Sequence, residues 1–265
     1  MQFGANINFT FGDFLSFEET LDVLEDIGYE QVEPFLSPGH DVLAEYNYYH
    51  MVSLDEDPRE YGEKMDARGL DCQSFSSHAP LMKPEAAVKW LRQGIRWAND
   101  LDAQVINTAE GPQPDWMDRE QAFNTMQYTL QRVLPTAERY GIDVCMEPEF
   151  DYTQNPETML EILDLVDSDR LRINLDTGNI VFGGYDPVEY LKTVGPENVG
   201  HVHIKDVDED GNPVAMGDGV VDYDAVFDIL RNDGYDGIVN IEHPDEETTR
   251  RGYEHVQEHY PFLLE

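Results

Sequence analysis

Short runs in which apolar and polar residues alternate recur along the chain, separated by longer stretches where apolar residues return every three or four positions. The first pattern suits strands, whose successive side chains face opposite ways, and the second suits helices that bury one stripe. Strands are expected at 3 to 9, 30 to 35, 70 to 79, 103 to 110, 142 to 149, 171 to 178, 199 to 206 and 237 to 243. Helices are expected near 17 to 28, 55 to 68, 84 to 101, 118 to 140, 156 to 167, 186 to 194, 222 to 233 and 246 to 260. Their starts carry capping residues (Ser16, Asp118, Asn155), and Gly28, Gly69, Gly141 and Gly234 mark exits. Eight such strand–helix pairs predict a single α/β domain over residues 1–265, a (β/α)8 barrel of the TIM type. An open doubly wound sheet competes, but no Gly-rich phosphate loop follows the first strand.

Strand parity then sorts the side chains. Val144 and Met146, Ile173 and Leu175, Val202 and Ile204, and Val239 and Ile241 should face the helices. That leaves Cys145 and Glu147, Asn174 and Asp176, His201 and His203, and Asn240 and Glu242 facing the barrel axis, with Asn6, Glu33 and His78 joining them. These polar residues collect towards the C-terminal strand ends, where barrel enzymes build their sites.

Charge changes the picture of the surface. The chain holds 55 acids against 17 bases, five of them lysines, for a formal net charge of -38. Dispersed acid with little lysine suits a salt-accumulating cell, where ionic strength screens self-repulsion, and it disfavours nucleic acid and anionic membranes as partners. A hydrophobic content of 40% argues against disorder. No apolar run approaches the roughly 18 residues that span a bilayer, and the start MQFGANINF lacks signal-peptide character, so the protein is expected to be cytoplasmic. Cys72 and Cys145 lie in apolar segments and are expected to be buried and reduced. Trp90 and Trp97 read as helix packing.

Three carboxylates from neighbouring strands, Glu147, Asp176 and Glu242, would repel one another in one mouth, and a divalent cation shared with His203 resolves that conflict. Three oxygen donors and one imidazole suit Mn²⁺, Mg²⁺ or Co²⁺.

The segments Met146-Glu147-Pro148, Leu175-Asp176-Thr177-Gly178-Asn179, His201-Val202-His203-Ile204-Lys205-Asp206, Gly217-Asp218-Gly219 and Ile241-Glu242 resemble, in order, the signatures of the xylose isomerase-like TIM-barrel superfamily. That group includes sugar isomerases and epimerases, inosose dehydratases and an endonuclease-four type of repair enzyme. The resemblance implies one metal ion on Glu147, Asp176, His203 and Glu242, with His201 a layer deeper and Lys205 and Asn179 lining the substrate pocket. The tagatose epimerase branch usually has a histidine where this chain has Asn179, and an arginine where it has Glu209.

Such a cation, chelating a carbonyl and its neighbouring hydroxyl, acidifies the adjacent C–H and stabilises the enediolate. Glu147 and Glu242 enter from strands separated by two others, so they are expected to serve as the acid/base pair on opposite faces of a ketose. His78, Glu33 and Trp116 are expected to contact substrate, and Asp218 and Asp222 to serve as turn and cap.

Lys83, Arg119 and Lys205 are the cations placed near the mouth, and the loop after the seventh strand is crowded with acid, which favours a small-molecule sugar, sugar acid or polyol ketone over a phosphorylated partner while leaving phosphate use open. An inosose dehydratase-type lyase starts with the same proton abstraction and stays open. A nuclease needs further histidine ligands and a basic surface. A non-catalytic sugar-binding barrel is a further alternative, and a homo-oligomer is compatible with any of them.

Overall fold

Parallel strands pair in chain order around a closed ring. The structure, a computed structural model, describes residues 1–11, 15–39 and 51–264. The barrel strands are β1 (Gln2–Asn6), β2 (Val32–Glu33), β3 (Ser74–Ser76), β4 (Val105–Thr108), β5 (Asp143–Met146), β6 (Leu171–Asp176), β7 (Val199–Ile204) and β8 (Ile238–Ile241). Their ladder runs β2-β1-β8-β7-β6-β5-β4-β3. Two parallel bridges, Gln31 with Asp71 and Phe35 with Ser76, close the seam between β2 and β3. The expected (β/α)8 barrel is therefore the observed fold.

The helices among the described residues are α1 (Phe17–Ile27), α2 (Pro58–Asp66), α3 (Pro84–Asp100), α4 (Arg119–Tyr140), α5 (Pro156–Leu163), α6 (Thr177–Phe182), α7 (Pro187–Val194), α8 (Tyr223–Asp233) and α9 (Glu246–His259). Local chemistry sets their ends. Ser16 with Glu19, and Asp118 with Gln121, form reciprocal capping boxes, and Asn155 accepts from the Thr158 amide. Each such cap contributes about 1 kcal/mol. Gly28, Gly141 and Gly234 close α1, α4 and α8 in the left-handed region.

Helix α6 departs from the pattern expected of the sequence. The sequence pattern carries the sixth strand through Thr177 and Gly178, but the Asp176 side chain accepts from the Asn179 amide, 2.7 Å, and turns the chain directly from β6 into a helix. A strand-ending aspartate that also caps leaves no loop to betray the boundary.

Parity holds. Val144, Met146, Ile173, Leu175, Val202, Ile204, Val239 and Ile241 are fully buried in the main apolar core. Burying each is worth roughly 1.5–3 kcal/mol. On the axial side a small plug of Val105, Cys145 and Ile238 is followed towards the mouth by polar residues. Both cysteines are buried and free. Trp97 is buried and Trp90 half-buried, their indoles donating to the Leu54 and Leu36 carbonyls. No helix among the described residues is long and apolar enough to cross a membrane.

Candidate active site

Glu147, Asp176, His203 and Glu242 converge at the C-terminal ends of β5 to β8, each offering one donor atom within 4.8 Å of the others. Around His203 Nδ1, Glu242 Oε2 lies at 2.9 Å, Glu147 Oε2 at 3.3 Å and Asp176 Oδ2 at 3.9 Å. All four are buried. Burial, opposed by Lys205 but seconded by Glu147 and Glu242, pushes the Asp176 carboxyl up to about 7. Burial also opposes ionisation of Glu147 and Glu242, yet His203 and His78 hold Glu147 well below the usual carboxylate range, and Lys205 and His203 bring Glu242 down to about 2.

The arrangement fits a divalent cation. Asp176 Oδ1 is committed to capping α6, while its Oδ2 is buried and accepts no well-directed hydrogen bond, although the Lys205 ammonium stands 3.1 Å away. Three carboxylates facing one imidazole form a hard, oxygen-rich set with an orphaned acceptor at its centre.

Lys205 ties the strands together. Its ammonium lies 2.7 Å from Glu242 Oε1 and donates to Asn179 Oδ1 at 3.2 Å. Asn179 in turn donates to Glu147 Oε1 at 2.8 Å. A Cβ on Gly178 would meet the Lys205 side chain at 2.5 Å, so the glycine of the Asp-Thr-Gly turn is what lets the lysine stem lie across it. The neighbouring Asp206 is buried and accepts from the amides of Val207, Gly217, Gly219 and Val221, pinning the loop after β7 over the mouth. A Cβ on Gly219 would stand 2.1 Å from Asp206 Oδ1.

These residues border a cavity of about 450 Å³ lined by His78, Glu147, Asn179, Lys205 and Glu242. Of the expected metal ligands, Glu147 and Glu242 line this cavity and Asp176 and His203 lie buried beside them, while His78, Asn179 and Lys205, three of the expected substrate contacts, line it as well. Two expectations are corrected. Trp116 is 73% exposed on the loop after β4 and does not border the cavity. Glu33 is also absent from the lining: it lies fully buried below the pocket, with both oxygens engaged by donors from within the barrel, out of reach of a substrate hydroxyl. Parity put it on the axis correctly but gave no depth. Of the cations placed at the mouth, only Lys205 borders the cavity, and Arg119 is exposed and paired with Glu161 at 2.6 Å.

Sequence reasoning missed Asn8, Glu149 and His243, which line the same cavity. Asn8 donates to Glu242 Oε1 at 3.3 Å, and Glu149 Oε2 lies 3.2 Å from His78 Nδ1, whose Nε2 is 3.4 Å from Glu147. Asn8 and Glu149 each follow an inward residue, Asn6 and Glu147, by two positions, so continuing the alternation past the last ladder bond was the available signal. The two aspartates fall as expected: Asp222 caps α8, and Asp218 is exposed and paired with Arg251.

Residues 21–260 match the family described as Xylose isomerase-like TIM barrel. An uncharacterized protein of Methanocaldococcus jannaschii is 29% identical over 58% of this chain. An inosose dehydratase of Bacillus thuringiensis is 25% identical over 55%. The chain spans little more than half the length of these curated relatives, 56% and 55%. A crystal structure of a D-tagatose 3-epimerase-like protein superposes with a TM-score of 0.80, covering 100% of this chain and 98% of that one at 22% identity. With its barrel, its strand-end carboxylates and its matched span of 21–260, the chain belongs to the xylose isomerase-like TIM barrel family.

Proposed function

We propose that this chain is a divalent-metal-dependent sugar isomerase or epimerase that moves a proton beside a ketone carbonyl. The observation that carries this reading is the convergence of Glu147, Asp176, His203 and Glu242, with Glu147 and Glu242 at 3.3 Å and 2.9 Å from His203 Nδ1 and both lining the pocket. A divalent ion (Mn²⁺, with Mg²⁺ or Co²⁺ as substitutes) held by Glu147, Asp176, His203 and Glu242 would supply Lewis acidity to the carbonyl and adjacent hydroxyl. One glutamate takes the proton from carbon, and the other, having first picked up a proton from solvent, delivers that one in its place; delivery to the opposite face inverts a centre, and delivery to the neighbouring carbon, with a proton passing between the two oxygens, isomerises. Lys205, Asn179 and His78 orient the substrate hydroxyls.

With Lys205 the one lysine or arginine in the lining among the described residues and Glu149 beside His78, the substrate class that fits is a neutral sugar, a sugar acid or a polyol ketone rather than a phosphate ester. A surface carrying a net charge of -38 supports work in a salt-rich cytoplasm and no nucleic-acid partner, and the barrel suits a homo-oligomer. The likeness to inosose dehydratase favours a second reading, a lyase that follows the same abstraction with loss of water.

The test is incubation of metal-loaded protein in D₂O with ketoses, inososes and hydroxypyruvate. Deuterium entering a carbon-bound position of a ketose without dehydration supports the isomerase, and loss of water from an inosose supports the lyase. No exchange across the panel contradicts both.

A further inference from the structure

The geometry points to Glu33 as a positioning residue for His203: its carboxylate accepts the His203 Nε2–H and thereby turns the Nδ1 lone pair towards Glu147, Asp176 and Glu242. The inference rests on the metal-centre reading above and assigns a residue outside the pocket to it.

Glu33 sits near the barrel axis, one layer below the mouth, with a relative exposure of 0%. Its Oε1 accepts from Asn6 at 2.8 Å, Ser76 at 2.7 Å, Asn107 at 3.1 Å and His203 Nε2 at 2.8 Å. Its Oε2 accepts from Ser74, from Asn107 at 3.1 Å, from Asn240 at 2.8 Å and from His201 Nε2 at 2.8 Å. The amide and hydroxyl groups facing it all act as donors, so the histidine nitrogens complete the set by presenting N–H. An ionised carboxylate, which offers lone pairs at both oxygens and donates nothing, is the partner this shell of donors matches. The donors come from β1, β3, β4, β7 and β8, so the carboxylate cannot swing aside without breaking contacts to five strands.

The two histidines on Glu33 are not equivalent. His201 points its Nδ1 into the barrel interior, where it is buried with no hydrogen-bond partner, so its bond to Glu33 serves packing. His203 points its Nδ1 into the carboxylate mouth. There Glu242 Oε2 at 2.9 Å, Glu147 Oε2 at 3.3 Å and the Asn174 amide at 3.1 Å surround Nδ1, the nitrogen that would bind the ion in metal-loaded protein. An imidazole whose far nitrogen donates to a carboxylate is fixed in ring orientation and tautomer and made more basic at the near nitrogen, a coupling whose loss costs about tenfold to a hundredfold in metal affinity.

Glu33→Gln and Asn107→Ala separate positioning from scaffolding. Asn107 makes two bonds to Glu33 and none to His203, so its loss weakens the layer and leaves the histidine bond in place. Mn²⁺ binding followed by calorimetry should weaken about tenfold to a hundredfold in Glu33→Gln. In Asn107→Ala it should stay within about threefold of wild type, although both variants melt earlier. Equal Mn²⁺ affinity in wild type and Glu33→Gln, or equal losses in both variants, overturns the inference while leaving the metal centre standing. A wild-type protein that binds no Mn²⁺ overturns both. Should Glu33→Gln not fold, ¹⁵N-histidine NMR of wild-type protein loaded with Zn²⁺ decides: protonation of His203 at Nε2 is expected, and protonation at Nδ1 refutes the assignment.

Discussion

The Lys205 ammonium lies 2.7 Å from Oε1 of Glu242, inside the same group of carboxylates that would hold a metal. It is therefore the chain's own counter-charge for that group, and burial, which opposes its ionisation, is outweighed by Asp176, Glu242 and Glu147, so it stays protonated. Lys205→Met should lower the melting temperature of metal-free protein. Saturating Mn²⁺ should then recover more of the melting temperature in the variant than in wild type, because the ion restores positive charge the lysine supplied. Turnover of the metal-loaded variant should fall about tenfold to a hundredfold, the worth of a charged hydrogen bond. Thermal unfolding with and without metal checks the first part and steady-state kinetics the second; equal Mn²⁺ shifts in the two proteins would contradict the assignment.

Glu147 and Glu242 carry the chemistry of the proposal. Glu147→Gln and Glu242→Gln keep the size and much of the hydrogen bonding of each side chain, and should each lower turnover by about a hundredfold to ten-thousandfold. Far-ultraviolet circular dichroism should remain that of wild type. Substantial remaining turnover in either variant removes that residue from the acid/base pair.

Glu110 is a buried carboxyl outside the pocket, accepting from Thr153 Oγ1 at 2.6 Å and from the Tyr152 and Thr153 amides at 3.0 Å. Burial, opposed by those donors, pushes it up to about 7 from 4.5. The native state then holds this proton more tightly than the unfolded chain, so its stability contribution is fully present below pH 4.5 and is lost as pH rises through about 7. A rise of that size is worth roughly 3 kcal/mol. Denaturant titrations of wild type and Glu110→Gln across this window should show the difference between them changing by that order. A difference that does not vary with pH would show that Glu110 is ionised throughout.

The acidic surface predicts salt dependence. With a net charge of -38, self-repulsion is screened far better at 1 M salt, where the Debye length is about 3 Å, than at 0.1 M, where it is about 10 Å. The melting temperature should rise across that range of KCl, and a flat profile would refute a salt-adapted surface.

The barrel and the convergence of side chains at the candidate site were legible because two periodicities coincide with two chemistries. Alternation in Val202-His203-Ile204 placed one histidine on the axis, and the same arithmetic placed Glu147, Asp176 and Glu242 beside it. Parity reports face and not height, which is why Glu33 was expected in the pocket and lies beneath it. Trp116 failed for another reason: a loop residue has no periodicity to fix its direction, and this one points to solvent. Helix α6 was hidden because Asp176 ends a strand and caps a helix with one side chain.

The most direct test of the central claim is anomalous diffraction from crystals grown with Mn²⁺. A single manganese peak within bonding distance of the Glu147, Asp176 and Glu242 carboxylates and His203 Nδ1 is the predicted result. Those four side chains gathered with no peak between them, or a peak bound elsewhere on the chain, would contradict it.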